Sequence, residues 1–368
     1  MGKLLSRFIG MGKQYGAEWW ILVAGALIVA SVLFMAMFAS TIAPFDPHDQ
    51  DAGPQLAPPG SDHLLGTDNL QRDVFSRIVF GSRTILGVAI LAAIISSLIG
   101  ISLGLISGYS GGIFDKSLSL IMDSIYSFPG LILAIAFAAM LEPGIISITL
   151  AVSVIYIPTY FRLVRGQTLS IKEELYVEAA RAIGTPGLTI LWKYIFPNVI
   201  ATTAVVFTMN VGDAIMIEAA LTYLGLGLPP SVVDWGMDLA MGKKYLPSGQ
   251  WWLITFPGAM ISILALGFTM LGEGLADILI PRLLERYFSR SFIGNRSSRC
   301  AVSHSNWNSE CGGECQPQPK KGRSDGAGWG LRLRKVNPGV FHHQNAQTTR
   351  YDFRGQDQIS QSGHPQNE

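Results

Sequence analysis

Charged side chains are scarce in this chain of 368 residues. Asp, Glu, Lys and Arg together make up 14%, against about 25% in an average soluble protein. Their balance is +1, so nothing argues for bulk binding to nucleic acid. Cysteine is nearly missing as well. Cys300, Cys311 and Cys315 are the three there are, an odd number that excludes a disulfide scaffold. What abounds is apolar: 49% of residues are hydrophobic and the mean hydropathy is +0.34. A disordered chain is poor in such residues. Here they are gathered into long runs, the pattern of an integral membrane protein.

Composition splits the chain. Residues 1–288 read as a membrane domain, and 289–368 as a tail rich in Gly, Ser, Asn, Gln, Arg and His with no apolar period. A helix crosses the hydrocarbon core with about 20 mostly apolar residues. Six segments qualify: Trp20–Ser40, Leu86–Ile106, Leu118–Met140, Ile145–Leu163, Val199–Leu221 and Trp252–Leu271. The expected fold is therefore all-α and polytopic, with six transmembrane helices. The first segment is too long for a signal peptide and lacks a small-residue cleavage site, so it reads as an anchor. Trp19, Trp20, Trp251 and Trp252 stand at segment ends, where indole rings favour the membrane interface. Lys3, Arg7 and Lys13 precede the first helix, and Arg162, Arg165, Lys172, Arg181 and Lys193 follow the fourth. The loop from Ile42 to Arg83 holds six Asp against three Arg. The positive-inside bias then puts both termini and the Arg165–Pro197 loop in the cytoplasm.

That loop is the most informative stretch. In Tyr176–Asn198, Glu178–Arg181 suit a short helix that Gly184 can end in a left-handed conformation. Pro186 and Gly187 make a turn, and Leu188–Ile195 suits a second short helix closed by Phe196–Pro197. Small Ala side chains allow close approach, and Glu178 and Arg181 leave charge on an exposed face. No nucleophile–base pair and no ligand cluster is present, so no catalytic, cofactor or metal residue is expected. On length and charge alone, an ordinary inter-helix loop is favoured over a docking element.

Within the membrane segments, Asn210 and Asp213 are three residues apart and share a helix face, with Glu218 nearer the outer end. Such groups are expensive in a bilayer; they line a pathway or bond to neighbouring helices. Asp123 and the Phe128–Pro129–Gly130 kink read as structural, because Pro removes a backbone donor and bends a helix. Asp234 and Trp235 are candidates for contact with an external protein, although interface aromatics need no partner.

The run Glu178–Gly184, followed after ten residues by Ile195–Phe196–Pro197, resembles the EAA loop of permease subunits of ABC importers. His63–Leu86 resembles the segment before the second helix of dipeptide and oligopeptide permeases of the DppC/OppC type. Glu218–Gly236, Phe256–Gly258 and Gly272–Leu283 are similar to that family's last third. The resemblance spans about residues 15 to 288. Gln71 stands where the family usually has Gly, Tyr194 where His or Ile is common, and Phe196 where Leu is usual.

The resemblance implies a permease of the prokaryotic inner membrane that carries di- or oligopeptides. It implies that Glu178, Ala179, Ala180, Gly184 and Pro197 form a coupling element seated on a cytoplasmic ATP-binding subunit. It also implies a second permease and an extracytoplasmic binding protein as partners, with ATP and Mg held on the ATP-binding subunits. Nickel permeases share the plan, so a nickel or other small-solute substrate stays open. A non-ABC channel needs no ATPase dock, and a membrane enzyme needs paired catalytic groups.

In the tail, Cys311, Cys315, His342 and His343 have spacings that suit zinc poorly. A disordered extension is one alternative. Another starts from the codons permitted by Pro319–Gly339. Read one nucleotide later, they allow a stretch containing Gly-x-x-x-x-Gly-Lys-Ser, the loop whose amides and Lys cradle nucleotide phosphates. This resembles the start of an ABC ATP-binding domain, so residues 289–368 are expected to be an out-of-frame translation. The nucleotide sequence from the Ile280 codon onward, read in three frames, should show the shifted frame opening into that loop. A closed or unrelated shifted frame would refute this.

Overall fold

The computed structural model describes residues 16–293, with side chains from 16 to 278. The basic N-terminal residues and the tail pairs Cys311–Cys315 and His342–His343 lie outside the described residues. Eleven helices are labelled here in chain order. Helix α1 spans Ala17–Met37, α2 Ala39–Ile42, α3 Val74–Ser110, α4 Gly112–Tyr126 and α5 Gly130–Met140. Helix α6 spans Ile145–Ile171, α7 Leu175–Ala182, α8 Gly187–Ile190, α9 Phe196–Tyr223, α10 Trp235–Gly242 and α11 Trp252–Ile293.

Among the described residues five stretches are long and apolar enough to cross a bilayer, and the pair α4–α5, bent by 91°, brings the number to six if counted as one span. The expected Pro129 kink is thus a right-angle elbow. Pro129 has no N–H to give the preceding turn, and the chain restarts as a new helix at Gly130. The other helices outrun their apolar cores. Helix α3 begins at Val74, where Asp73 accepts from the Ser76 amide at 2.8 Å and caps it. Helix α6 continues to Ile171, so Arg162 and Arg165, expected in a loop, stand on a helix. Helix α11 runs unbroken through Ile293, so no helix end marks the boundary expected at 288. Hydropathy marks the depth of hydrocarbon. Caps and packing decide where a helix stops.

Glycines set the helix directions. Gly100, Gly104 and Gly108 repeat every four residues and so form one face of α3. A Cβ added to Gly100 would meet Tyr160 Cβ at 2.5 Å. One on Gly104 would meet Phe161 O at 2.8 Å, and one on Gly108 would meet Thr168 Cβ at 2.8 Å. The numbers climb together, so α3 and α6 run parallel, backbone against backbone. Gly25 faces Leu271 and Gly274 faces Leu22, so α1 and α11 are antiparallel. Gly212 faces Phe268 and Gly272 faces Met209, so α9 and α11 are antiparallel too. The start of α1, the ends of α3, α6 and α11, and the segment 172–195 therefore share one end of the bundle. Lipid tails offer no hydrophobic drive between helices, and small residues supply close packing in its place.

The opposite end is capped by residues 43–73 and by α10. The His63 ring meets Asp73 at 3.0 Å, and Arg72 pairs with Asp68 at 2.6 Å. Gln71 has φ +62°, the left-handed region. That explains why glycine is the usual residue there, and Gln holds the conformation at a cost of about 1 kcal/mol. Of the four tryptophans expected at the interface, Trp20 and Trp251 are exposed, whereas Trp19 and Trp252 are buried. Adjacent residues on a helix differ by about 100°, so one of each pair turns inward. Trp252 Nε1 donates to Thr67 O at 3.2 Å. Asp234 and Trp235 are also corrected: both are fully buried. Trp235 Nε1 donates to Ile78 O at 2.8 Å, and the ring lies on Gly81. Neither can touch an external protein directly.

Gly104→Ala should lower stability by about 1–3 kcal/mol through overpacking on the α6 backbone. Gly87, with nothing within 4 Å of an added Cβ, is the control. Gly87→Ala should be neutral or stabilising by about 0.5–1 kcal/mol. Thermal melts in detergent check both.

Candidate functional site

Residues 175–195 form a two-faced element. Val177, Ala180, Ile190, Leu191 and Ile195 are buried in a small core with Leu105 of α3, Val164 of α6 and Val199 of α9. Gly187 lies against Tyr109, whose Oη would be 3.0 Å from an added Cβ. The other face is bare: Leu175 and Ile183 are each 81% exposed, and Leu188 is 74% exposed. Trp192 is exposed beside them and meets the Phe196 ring edge-on at 5.0 Å.

The turn between α7 and α8 is built as the sequence predicts. Gly184 has φ +83°. Its amide donates to Arg181 O at 3.0 Å, and the Thr185 amide donates to Ala180 O at 3.1 Å. These two bonds form a Schellman ending, which needs a residue without a Cβ penalty at that position. The second short helix differs from expectation. Phe196–Pro197 do not close it. Leu191–Ile195 form a π-helical turn that runs into α9, with Pro197 in the first turn of that helix. A proline there forfeits no bond, because first-turn amides have no intrahelical acceptor.

The five residues expected to couple do not share one environment. Glu178, Ala179, Gly184 and Pro197 are exposed, while Ala180 is buried at 3%. The close approach that Ala180 permits is to its own bundle. Tyr194 and Phe196 also pack partly buried on the inner core, so these departures from the family pattern face inward.

Beside this element, side chains far apart in sequence fasten the elbow to the parallel pair. Arg165 binds Asp115 through both oxygens, at 2.6 and 2.7 Å. Ser107 donates to Asp115 at 2.5 Å, and Lys172 donates to Gly108 O at 3.0 Å. Asp123 pairs with Arg162 at 2.7 Å, and the guanidinium lies 4.0 Å from the Tyr126 ring centroid. Nothing in the spacing of Asp115 and Arg165, 50 residues apart, signals this pair.

A cleft of ≈ 460 Å³ opens between the elbow, α6 and α9. Tyr126, Phe128 and Gly130 line one side; Tyr156, Thr159, Asn210 and Asp213 line the other. Asp213 is exposed in it and Asn210 is 5% exposed. Glu218, placed with these two by sequence, is set apart. It is fully buried, and its carboxyl faces that of Asp234 at the far end of α9.

A family model described as binding-protein-dependent transport system inner membrane component matches residues 100–285. The chain belongs to this family. The match takes in the last eleven residues of α3, the elbow, the 175–195 element, the cleft and α11 up to Glu285. The probable D,D-dipeptide transport system permease protein DdpC of Escherichia coli is 36% identical over 260 residues, 71% of this chain and 87% of that protein. The dipeptide transport system permease protein DppC of Alkalihalophilus pseudofirmus is 36% identical over 261 residues, 71% of this chain and 86% of its own. The glutathione transport system permease protein GsiD of Pectobacterium atrosepticum is 37% identical over 264 residues, 72% of this chain and 87% of its own. The chain is thus a multi-pass membrane component of a transport system.

The two arginine pairs should respond differently to truncation. Arg165→Ala leaves a nearly buried Asp115 short of its main partner, and should cost about 1–3 kcal/mol. Arg162→Ala breaks a pair whose side chains are 43% and 54% exposed, and should cost about 1 kcal/mol or less. Parallel melts of the purified variants test the difference.

Proposed function

We propose that this chain is a permease subunit of an ATP-driven importer of di- and oligopeptides in the prokaryotic inner membrane. The observation that carries the proposal is the bare apolar face of residues 175–195, standing on a buried root. A soluble end of a bundle rarely leaves Leu175, Ile183 and Leu188 in water without a partner for them. The partner proposed is a cytoplasmic ATP-binding subunit, which holds the ATP and Mg. Glu178, Ala179, Gly184 and Pro197 form the exposed docking face, and Ala180 anchors it. On this reading the termini are cytoplasmic and the capped end, with residues 43–73, faces outward to a substrate-binding protein. A second permease completes the pathway. Asn210 and Asp213 line this chain's share of it, since they border the cleft. The relatives named for dipeptides, D,D-dipeptides and glutathione support peptides as the cargo.

Motion of the docked subunits would reach the cleft along a short route. The 175–195 element is rooted on α3, α6 and α9, and two of these helices wall the cleft. A rigid shift of that element is therefore a shift of the cleft walls, the requirement for alternating access.

Leu188→Asp and Ile183→Asp should leave the melting temperature unchanged, because both side chains are exposed. Each should weaken association with the ATP-binding subunits tenfold or more, about 1.4 kcal/mol, and lower peptide uptake in proportion. Coprecipitation and uptake of labelled dipeptides, with nickel uptake as the contrast, measure this. Undiminished association in both variants would overturn the docking assignment.

A further inference from the structure

At the outer end of α9 two carboxyl groups meet away from water. Glu218 and Asp234 are both 0% exposed. Both oxygens of Glu218 and Oδ1 of Asp234 lack a hydrogen-bond partner among the described residues. Asp234 Oδ2 is engaged elsewhere, accepting from the Met237 amide at 3.0 Å as the cap of α10. The packing around the pair is tight. A Cβ on Gly236 would lie 2.1 Å from Thr222 Oγ1 and 2.4 Å from Ala219 O, so the first turn of α10 is pressed on the last turns of α9.

Among the described residues, the arginines of this end are engaged elsewhere. Arg77 is held by Asp238 and donates to Pro47 O at 3.1 Å. Arg72 is held by Asp68. Lys243 is exposed and lies 5.4 Å from the Tyr223 ring centroid. The remaining titratable neighbour, Asp238 on α10, adds negative charge. Two ionised carboxylates side by side in such a site repel each other, and each loses its hydration. One carboxylic acid donating to one carboxylate gives two of the three orphaned oxygens a partner and removes the repulsion.

We infer that Glu218 and Asp234 hold one proton between them, a proton-binding clamp that fastens α10 to the outer end of α9. The proton resides on Glu218, because Asp234 already accepts a backbone amide and caps a helix, where negative charge is favoured. The clamp is a separate feature from the cleft and from the docking face, and it stands whether or not the cargo is a peptide. Raising the pH until the proton is lost restores the repulsion between the two carboxylates and weakens the clamp, so stability falls toward alkaline pH.

The test uses the whole purified chain in lipid nanodiscs. In deuterated buffer at neutral pH, the infrared spectrum of the wild type should contain a protonated-carboxyl carbonyl band that Glu218→Gln removes. Gln copies the protonated form, so this variant should melt within about 3 °C of the wild type at neutral pH. The wild type should lose melting temperature from neutral to alkaline pH more steeply than Glu218→Gln does. Asp234→Asn, which keeps a good helix cap, should flatten the alkaline loss in the same way. Identical spectra for wild type and Glu218→Gln would overturn the inference. So would parallel pH profiles for the wild type and both variants, or failure of Glu218→Gln to fold.

Discussion

Where α3 and α6 lie parallel, Gly100, Gly104 and Gly108 bring the two backbones nearly into contact. In a bilayer, close packing is the main attraction left to helices that have already satisfied their own backbone bonds. This seam sets more than one pair of helices. Running in the same direction, α3 and α6 end together. Leu105 and Val164 then lie side by side as the root of the 175–195 element. The same approach brings Ser107 and Arg165 to Asp115, which ties the first turn of the elbow to both helices. A looser crossing would separate all three attachments.

Most charged groups in the described bundle are paired or sit toward its ends. Arg165 and Arg162 sit toward the end that carries the docking element, and each faces an acid on α4. Asp68, Arg72, Asp73, Arg77 and Asp238 knit the capped end. Between them, Asp213 is the carboxylate left exposed on a cleft wall. Burying an unpaired charge is costly.

The 175–195 element divides its two faces between neighbouring residues. Ala179 faces out and Ala180 faces in, one residue apart on a helix of eight residues. The buried side holds the element to the bundle, and the exposed side carries apolar surface. Gly184 makes the reversal possible without strain, and the π-helical turn at Leu191–Ile195 joins the element to α9 with no flexible linker.

Much of this was legible in the sequence because hydrocarbon imposes strong local rules. Six apolar runs predicted the spans, and Gly184 and Pro129 predicted a left-handed turn and a break, since each acts through its own backbone. The four-residue spacing of Gly100, Gly104 and Gly108 was also there to be seen, but spacing does not say which helix a glycine face will meet. Partners decided the rest. That Arg165 finds Asp115, that Trp252 bonds to Thr67 while Trp251 stays exposed, and that Glu218 faces Asp234 rather than the cleft all depend on contacts between distant segments. Local sequence determined where helices form and where they turn, because backbone bonds and hydropathy act over a few residues. Only the packed bundle decided which polar groups are paired, buried or exposed, because that depends on what the fold places opposite them.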